Sequence, residues 1–294
     1  MTNAPPQTDS AGGPRPPEDM ETHGWGLEIR ESKRRGPRRG LAAVGPRFLH
    51  VWYRDAYVYV KMWKTNIFPP LIEPFLFLFA MGVGVGHYVE NIQGVDYLTF
   101  VAPGIVATTA VIRASFENTY GSYFRMHFQN TFGAIISTPV NAEELSLGEI
   151  CWGATRSFIN VVAVVIALIF LGRMPLIWTP AVLALALVGG INFGAMSLLV
   201  TSKVKQTEYF NFFLTLVIFP AEFVTGAFFP VERLPDFLEP VAWVIPLTSL
   251  IDLIRGMALG TLSSTSLLEL AYVLISTVVL VELALRSMRH RLIS

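Results

Sequence analysis

The sequence predicts an all-α polytopic membrane protein with six transmembrane helices. Three observations point to this fold. The 294 residues are 52% hydrophobic and only 15% charged, with a mean hydropathy of +0.50, whereas soluble domains carry about 25% charged residues. Apolar runs recur at roughly 20 residues, the length a helix needs to cross about 30 Å of hydrocarbon. The connections between these runs alternate in charge as the excess of Lys and Arg on cytoplasmic loops requires.

Residues 1–46 read as a disordered basic tail. "MTNAPPQTDSAGGPRPPEDMETHG" is too rich in Pro, Gly and polar residues to bury a core. The run "KRRGPRRG" (33–40) suits a cytoplasmic terminus held against anionic lipid heads. Eleven of the 22 Lys and Arg fall within the first 64 positions, although the formal net charge is zero. That balance argues against a nucleic-acid partner. No apolar stretch precedes Leu41, so no cleavable leader is expected.

Residues 47–294 are expected to form the transmembrane domain. Its first element, 47–64, interleaves Trp52, Tyr53 and Trp63 with Arg47, Arg54, Asp55 and Lys61. Aromatic and basic residues on one amphipathic helix suit the headgroup layer, with the helix lying flat. Spans are then expected near 67–87, 98–118, 151–171, 178–200, 209–229 and 267–286. The 88–97 loop carries acids only and faces out; Lys203 and Lys205 place 201–208 inside, with the tail "RSMRHRLIS". Both termini are therefore expected in the cytoplasm, with Arg173 on an outward turn as the exception.

Two connections are unlike ordinary loops. Pro139 breaks the helix before "STPVNAEELSLGEI", and Asn141 is placed to cap a new one with Glu143 and Glu144 in its first turn. A short cytosolic helix, about 142–150, is expected. Residues 226–260 stay apolar but are punctuated by Pro230, Pro235, Pro240 and Pro246. Each proline removes a donor and clashes with the preceding turn, so short helices near 232–238 and 247–258 are expected instead of a span. Asp252 and Arg255 are spaced to pair on one helical face. Irregular backbone at membrane depth survives only when shielded by protein or a water-filled cavity, which favours a re-entrant segment over about 230–260.

The stretch "GAFFPVERLPDFLEPVAWVIPLTSLIDLIRG" (226–256) resembles the type-2 ATP-binding-cassette exporter permeases. "IEPFLFLFAMGVGVG" (72–86), "YLTFVAPGIVATTAV" (97–111) and "STPVNAEELSLGEICWGATR" (137–156) are similar to the branch typified by nodulation protein J, which exports lipo-oligosaccharides. The resemblance runs over roughly 47–290. It implies a homodimer of permeases in a bacterial inner membrane, joined to a pair of separate ATPase subunits through a cytoplasmic coupling helix. It also implies an amphiphilic glycan or lipid cargo, a glycolipid or lipid-linked saccharide; drugs and other hydrophobic small molecules are the alternative.

No phosphate-binding loop of the form G-x-x-x-x-G-K-[ST] is present, so ATP is expected to bind the partner and the chain itself to need no cofactor, no metal and no catalytic residue. Glu143, Glu144, Leu145, Leu147 and Glu149 are the expected contacts to that ATPase. Ionisable residues within spans usually face the bundle interior or a cavity. Arg113 and Glu117, four apart, are expected to pair, and Glu222 with Phe228, Phe229 and Pro235 to line the translocation path or its gate. The rival class, an integral-membrane enzyme or assembly factor without an ATPase, would concentrate His, Asp or Glu at one membrane face. The sequence does not do so.

Overall fold

The computed structural model describes residues 40–62, 72, 75–89 and 91–293. Trp63 and the start of the expected first span lie outside them. Among the described residues four helices are long and apolar enough to cross a membrane: α2 (Tyr97–His127), α4 (Ala142–Phe170), α5 (Leu176–Thr201) and α9 (Ser266–Ile293). Before them lies α1 (Phe48–Lys61), and between α2 and α4 the short α3 (Thr131–Ile136). The segment α6 runs through Glu208–Phe213, Leu214–Ile218 and Phe219–Val224. It is followed by α7 (Glu239–Val244) and α8 (Pro246–Leu259). A two-stranded antiparallel hairpin, β1 (Asn91–Ile92) and β2 (Val95–Asp96), precedes α2.

The α2, α4, α5 and α8 helices share one apolar core in which Phe100, Val106, Val164, Leu168, Val182 and Leu247 are fully buried. In α8, Leu247, Leu250, Ile251 and Ile254 are buried at helical spacing, so one stripe faces the bundle. With 14 residues, α8 is about 21 Å long and falls short of a hydrocarbon core. The helix expected over 247–258 is thus present, whereas 232–238 holds only the single turn Val231–Arg233.

The expected span at 209–229 ends at Val224. Gly226 then adopts φ +84°, a left-handed conformation that side-chain-bearing residues rarely take. The Arg255 guanidinium donates to the Gly226 carbonyl at 2.7 Å and sits 4.0 Å from the Phe100 ring. Arg255 therefore staples α8 to this turn, with Asp252 near enough to act on its charge. Arg173 is neutralised by Asp96 at 2.7 Å; Asp96 also caps α2 by accepting from the Thr99 N–H.

A second apolar cluster closes the opposite end of the bundle. It gathers Val51 of α1, Phe132 of α3, Leu145 and Ile150 of α4, Leu198 of α5 and Leu285 and Met288 of α9. Residues 1–39 of the expected disordered tail lie outside the described residues, whereas 40–45 are tied to this end. The Leu41 N–H donates to Glu282 at 2.7 Å and the Gly45 N–H to Glu144 at 3.0 Å.

The separate helix expected over 142–150 is instead the opening of α4. Asn141 caps it in a full capping box with Glu144, as the sequence suggested. Nothing in "AEELSLGEICWGATR" then interrupts the helix, since it holds no proline and its glycines are isolated. The short helix between spans is α3, earlier in the chain.

Candidate functional site

The site lies where α1, α2 and α4 meet at the α3 end. In α1, Val51, Asp55 and Tyr59 are buried at four-residue spacing while Tyr53, Tyr57 and Val60 are exposed. An aromatic outer face and a buried carboxylate on one helix are the pattern expected at a headgroup layer. Trp52 points inward, its indole N–H donating to Thr155 at 2.9 Å.

The α2 helix widens to i→i+5 hydrogen bonding over Glu117–Gly121, a local bulge that helices use most often at functional sites. The bulge turns Glu117 toward α4. A Cβ at Gly121 would lie 2.8 Å from the Glu117 carboxylate, so only glycine leaves it room. Glu117, 4% exposed, accepts from Arg125 at 2.8 Å and from the Trp152 indole at 3.0 Å, and it pairs with Arg156. Arg125 also holds Glu149 at 2.6 Å and lies 4.0 Å from Asp55. Ser122 donates to Glu149 at 2.6 Å. Arg54 completes the chain, reaching Asp55 at 2.9 Å and the Thr131 hydroxyl of α3 at 3.3 Å.

These contacts make a continuous polar path from α3 through Arg54, Asp55, Arg125 and Glu117 to Arg156. Buried charges survive only when paired and hydrogen-bonded, and here each carboxylate has at least one guanidinium. Asp55 is the least well served. Its Oδ2 is buried without a hydrogen-bond partner. Burial and the nearby Glu149 push its carboxyl up to about 7, against the pull of Arg125 and Arg54.

A cleft of about 470 Å³ opens beside this network, lined by Arg54, Asp55, Tyr59, Tyr120, Phe124, Trp152 and Arg156 among others. A recess of about 220 Å³ shares Glu117, Tyr120, Gly121 and Arg156 with it and adds Arg113, Phe116 and Asn160. Their aromatic wall is a ridge on α2, Phe116, Tyr120 and Phe124, in which the first two rings stack with centroids 6.0 Å apart.

The residues expected to meet an ATPase are committed inside the chain. Glu143, Glu144, Leu145 and Glu149 are all buried, and Leu147 is half-buried against the second cluster. Glu143 pairs with Arg289 of α9 at 2.5 Å, Glu144 serves the cap, and Glu149 serves Arg125. Three acids in the first turns of a helix read as a face offered to a partner, and other parts of the chain cover that face here. Exposed surface at this end belongs to Phe128, 65% exposed, with Gln129, Asn130 and Gly133 beside it.

Of the expected path residues, Arg113 and Glu222 come together: both line a small pocket of about 60 Å³ with Phe77 and Thr108. The bulge directs Glu117 to Arg125 and Arg156 instead of Arg113. Phe228 is buried between Phe77 and Phe223, with centroids 5.3 Å from each. Phe229 is half-buried and Pro235 lies exposed in the turn before α7. Sequence reasoning missed Arg125 and Arg156. The signal that was available is the scarcity of charge in apolar helices, which obliges each buried carboxylate to find a guanidinium.

Residues 46–259 match the ABC-2 type transporter family. Nodulation protein J of Rhizobium meliloti (strain 1021) is 34% identical over 223 residues, covering 75% of this chain and 84% of the relative. Nodulation protein J of Rhizobium leguminosarum bv. viciae is 33% identical over 254 residues, covering 86% and 97%. The inner membrane transport permease YadH of Escherichia coli (strain K12) is 23% identical over 211 residues, covering 71% and 82%. The family match takes in α1 to α8 and stops before α9.

Proposed function

The chain belongs to the ABC-2 type transporter family, and from that premise we propose that it is the membrane permease of an ATP-driven exporter, working as a homodimer with a separate ATPase in a bacterial inner membrane. The cargo is an amphiphilic glycan, such as a lipo-oligosaccharide or lipid-linked saccharide. The nodulation proteins J at about one-third identity support this choice.

One observation carries the mechanistic part: the exposed α3 region is joined by an unbroken ion and hydrogen-bond path to the cleft. The ATPase docks on the cytoplasmic α3 end, at Phe128 and the 129–139 stretch, rather than on the acids of 142–150. Closure of the ATPase pair on ATP pushes α3. The push passes through Thr131 and Arg54 to Asp55 and Arg125, which couple α1, α2 and α4 as one unit. Packed interfaces of this kind shift between discrete arrangements, and a network in which every charge has a partner moves as a body. The short α7 and α8 helices and the Gly226 turn form the outer end of the route, with Arg113 and Glu222 lining its interior.

The experiment is reconstitution of the chain with its cognate ATPase in proteoliposomes loaded with a fluorescent lipo-oligosaccharide. ATP-dependent cargo movement, abolished by Gly133→Arg while the chain still folds, supports the reading. Full transport by that variant, or no bound ATPase, ends it.

A further inference from the structure

We propose that the cleft between α1, α2 and α4 is a binding site for a phosphate-bearing headgroup of a membrane amphiphile, held by Arg156 and Arg54 against the α2 aromatic ridge. The site belongs to the fold of this chain and stands whether or not the cargo named above is right. Arg156 lines both the cleft and the adjoining recess. It commits one amino nitrogen to Glu117 and lies 5.6 Å from the Tyr59 ring centroid. Its Nε and Nη2 have no hydrogen-bond partner among the described residues, and its side chain is 31% exposed. A guanidinium whose remaining N–H groups face an open cleft is arranged for an oxyanion.

Charge agrees with this. Arg54, Arg113, Arg125 and Arg156 line the two cavities against Asp55 and Glu117, with Glu149 behind Arg125. Arg113 also meets Glu222, so three carboxylates oppose the three remaining guanidiniums, and the upward shift of Asp55 leaves the cleft cationic near neutral pH. The remaining geometry selects an amphiphile over a soluble anion. Phe116, Tyr120 and Phe124 give one apolar wall, and Phe116 and Phe124 are 37% and 51% exposed. The outward face of α1 is aromatic, placing the cleft at headgroup depth. Phosphate is held at the polar wall while acyl or prenyl carbons lie along the ridge.

The test uses the full chain in phosphatidylcholine nanodiscs, titrated with a fluorescent short-chain phosphatidylglycerol. Saturable binding is expected, weakened about tenfold by Arg156→Gln, the loss of one charge-assisted contact, and less by Arg156→Lys. Arg54→Gln, which leaves Glu117 untouched, is the control against misfolding and is expected to weaken binding as well. Inorganic phosphate competing as well as the lipid supports the oxyanion site with a soluble source; failure to compete supports the lipid. Equal binding of phosphatidylglycerol by the native chain and Arg156→Gln overturns the proposal, as does wild-type binding no greater to phosphatidylglycerol than to phosphatidylcholine.

Discussion

Arg125 and Glu149 lie 24 residues apart on α2 and α4, yet the Arg125 Nη2 sits 2.6 Å from the Glu149 Oε2, and the Glu149 side chain is fully buried. The same guanidinium holds Glu117. One arginine thus serves two buried carboxylates, Glu149 as its guanidinium partner and Glu117 alongside Arg156.

Replacing Arg125 with Leu strands Glu149. Breaking a buried pair by removing one partner costs about 3–5 kcal/mol. Thermal unfolding in detergent is expected to show a loss of that order. The double variant Arg125→Leu with Glu149→Leu recovers part of it, because Glu117 keeps Arg156 and Trp152.

Asp55 makes stability depend on pH. Its carboxyl, ordinarily at 3.8, is raised to about 7. Between those values the folded state binds a proton that the unfolded chain does not, so stability falls as pH rises through the window and stays low above it. The groups facing Asp55 are Arg54 on its own helix, Glu117 and Arg125 on α2, and Glu149 on α4. Melting temperature is expected to be higher near pH 5 than near pH 8. In Asp55→Asn the difference shrinks and melting near pH 8 rises. A variant that melts lower than the native chain near pH 8 would show that Asp55 is needed charged.

Coupling and capping are separable at the α3 end. Glu144→Ala removes a capping-box acid and its hold on Gly45, and about 1 kcal/mol of stability is expected to go with it. Phe128→Asp acts on a side chain that is 65% exposed and stacks on the Phe124 ring with centroids 5.1 Å apart. It is expected to abolish ATPase co-purification with the melting temperature changed by only a degree or two. Retained ATPase binding in Phe128→Asp counts against the docking site.

At the other end, Arg255→Ala removes a charged hydrogen bond to the Gly226 carbonyl and a cation–ring contact with Phe100. Such bonds contribute about 1.5–3 kcal/mol each, so faster proteolysis of the 226–260 segment is expected. Limited digestion followed by mass spectrometry measures it.

Local rules carried much of the architecture. Apolar runs located α2, α4, α5 and α9; Pro139 and Asn141 fixed where α4 begins; and the prolines of 230–246 excluded a long helix there. The site was less legible. Glu117 was matched to Arg113 by spacing along one helix, and Glu143, Glu144 and Glu149 were read as contacts to a partner ATPase.

What the sequence by itself determined is which segments are helical, where they start and stop, and that this chain must place them in lipid, because propensity, capping and hydropathy act over a few residues. Only the tertiary structure decided which guanidinium serves which carboxylate and which helix is left exposed. In a low-dielectric interior a charge takes the partner that packing brings within about 3 Å, and neither the widened turn at Glu117–Gly121 nor the helices covering α4 are written in the spacing of neighbours along the chain.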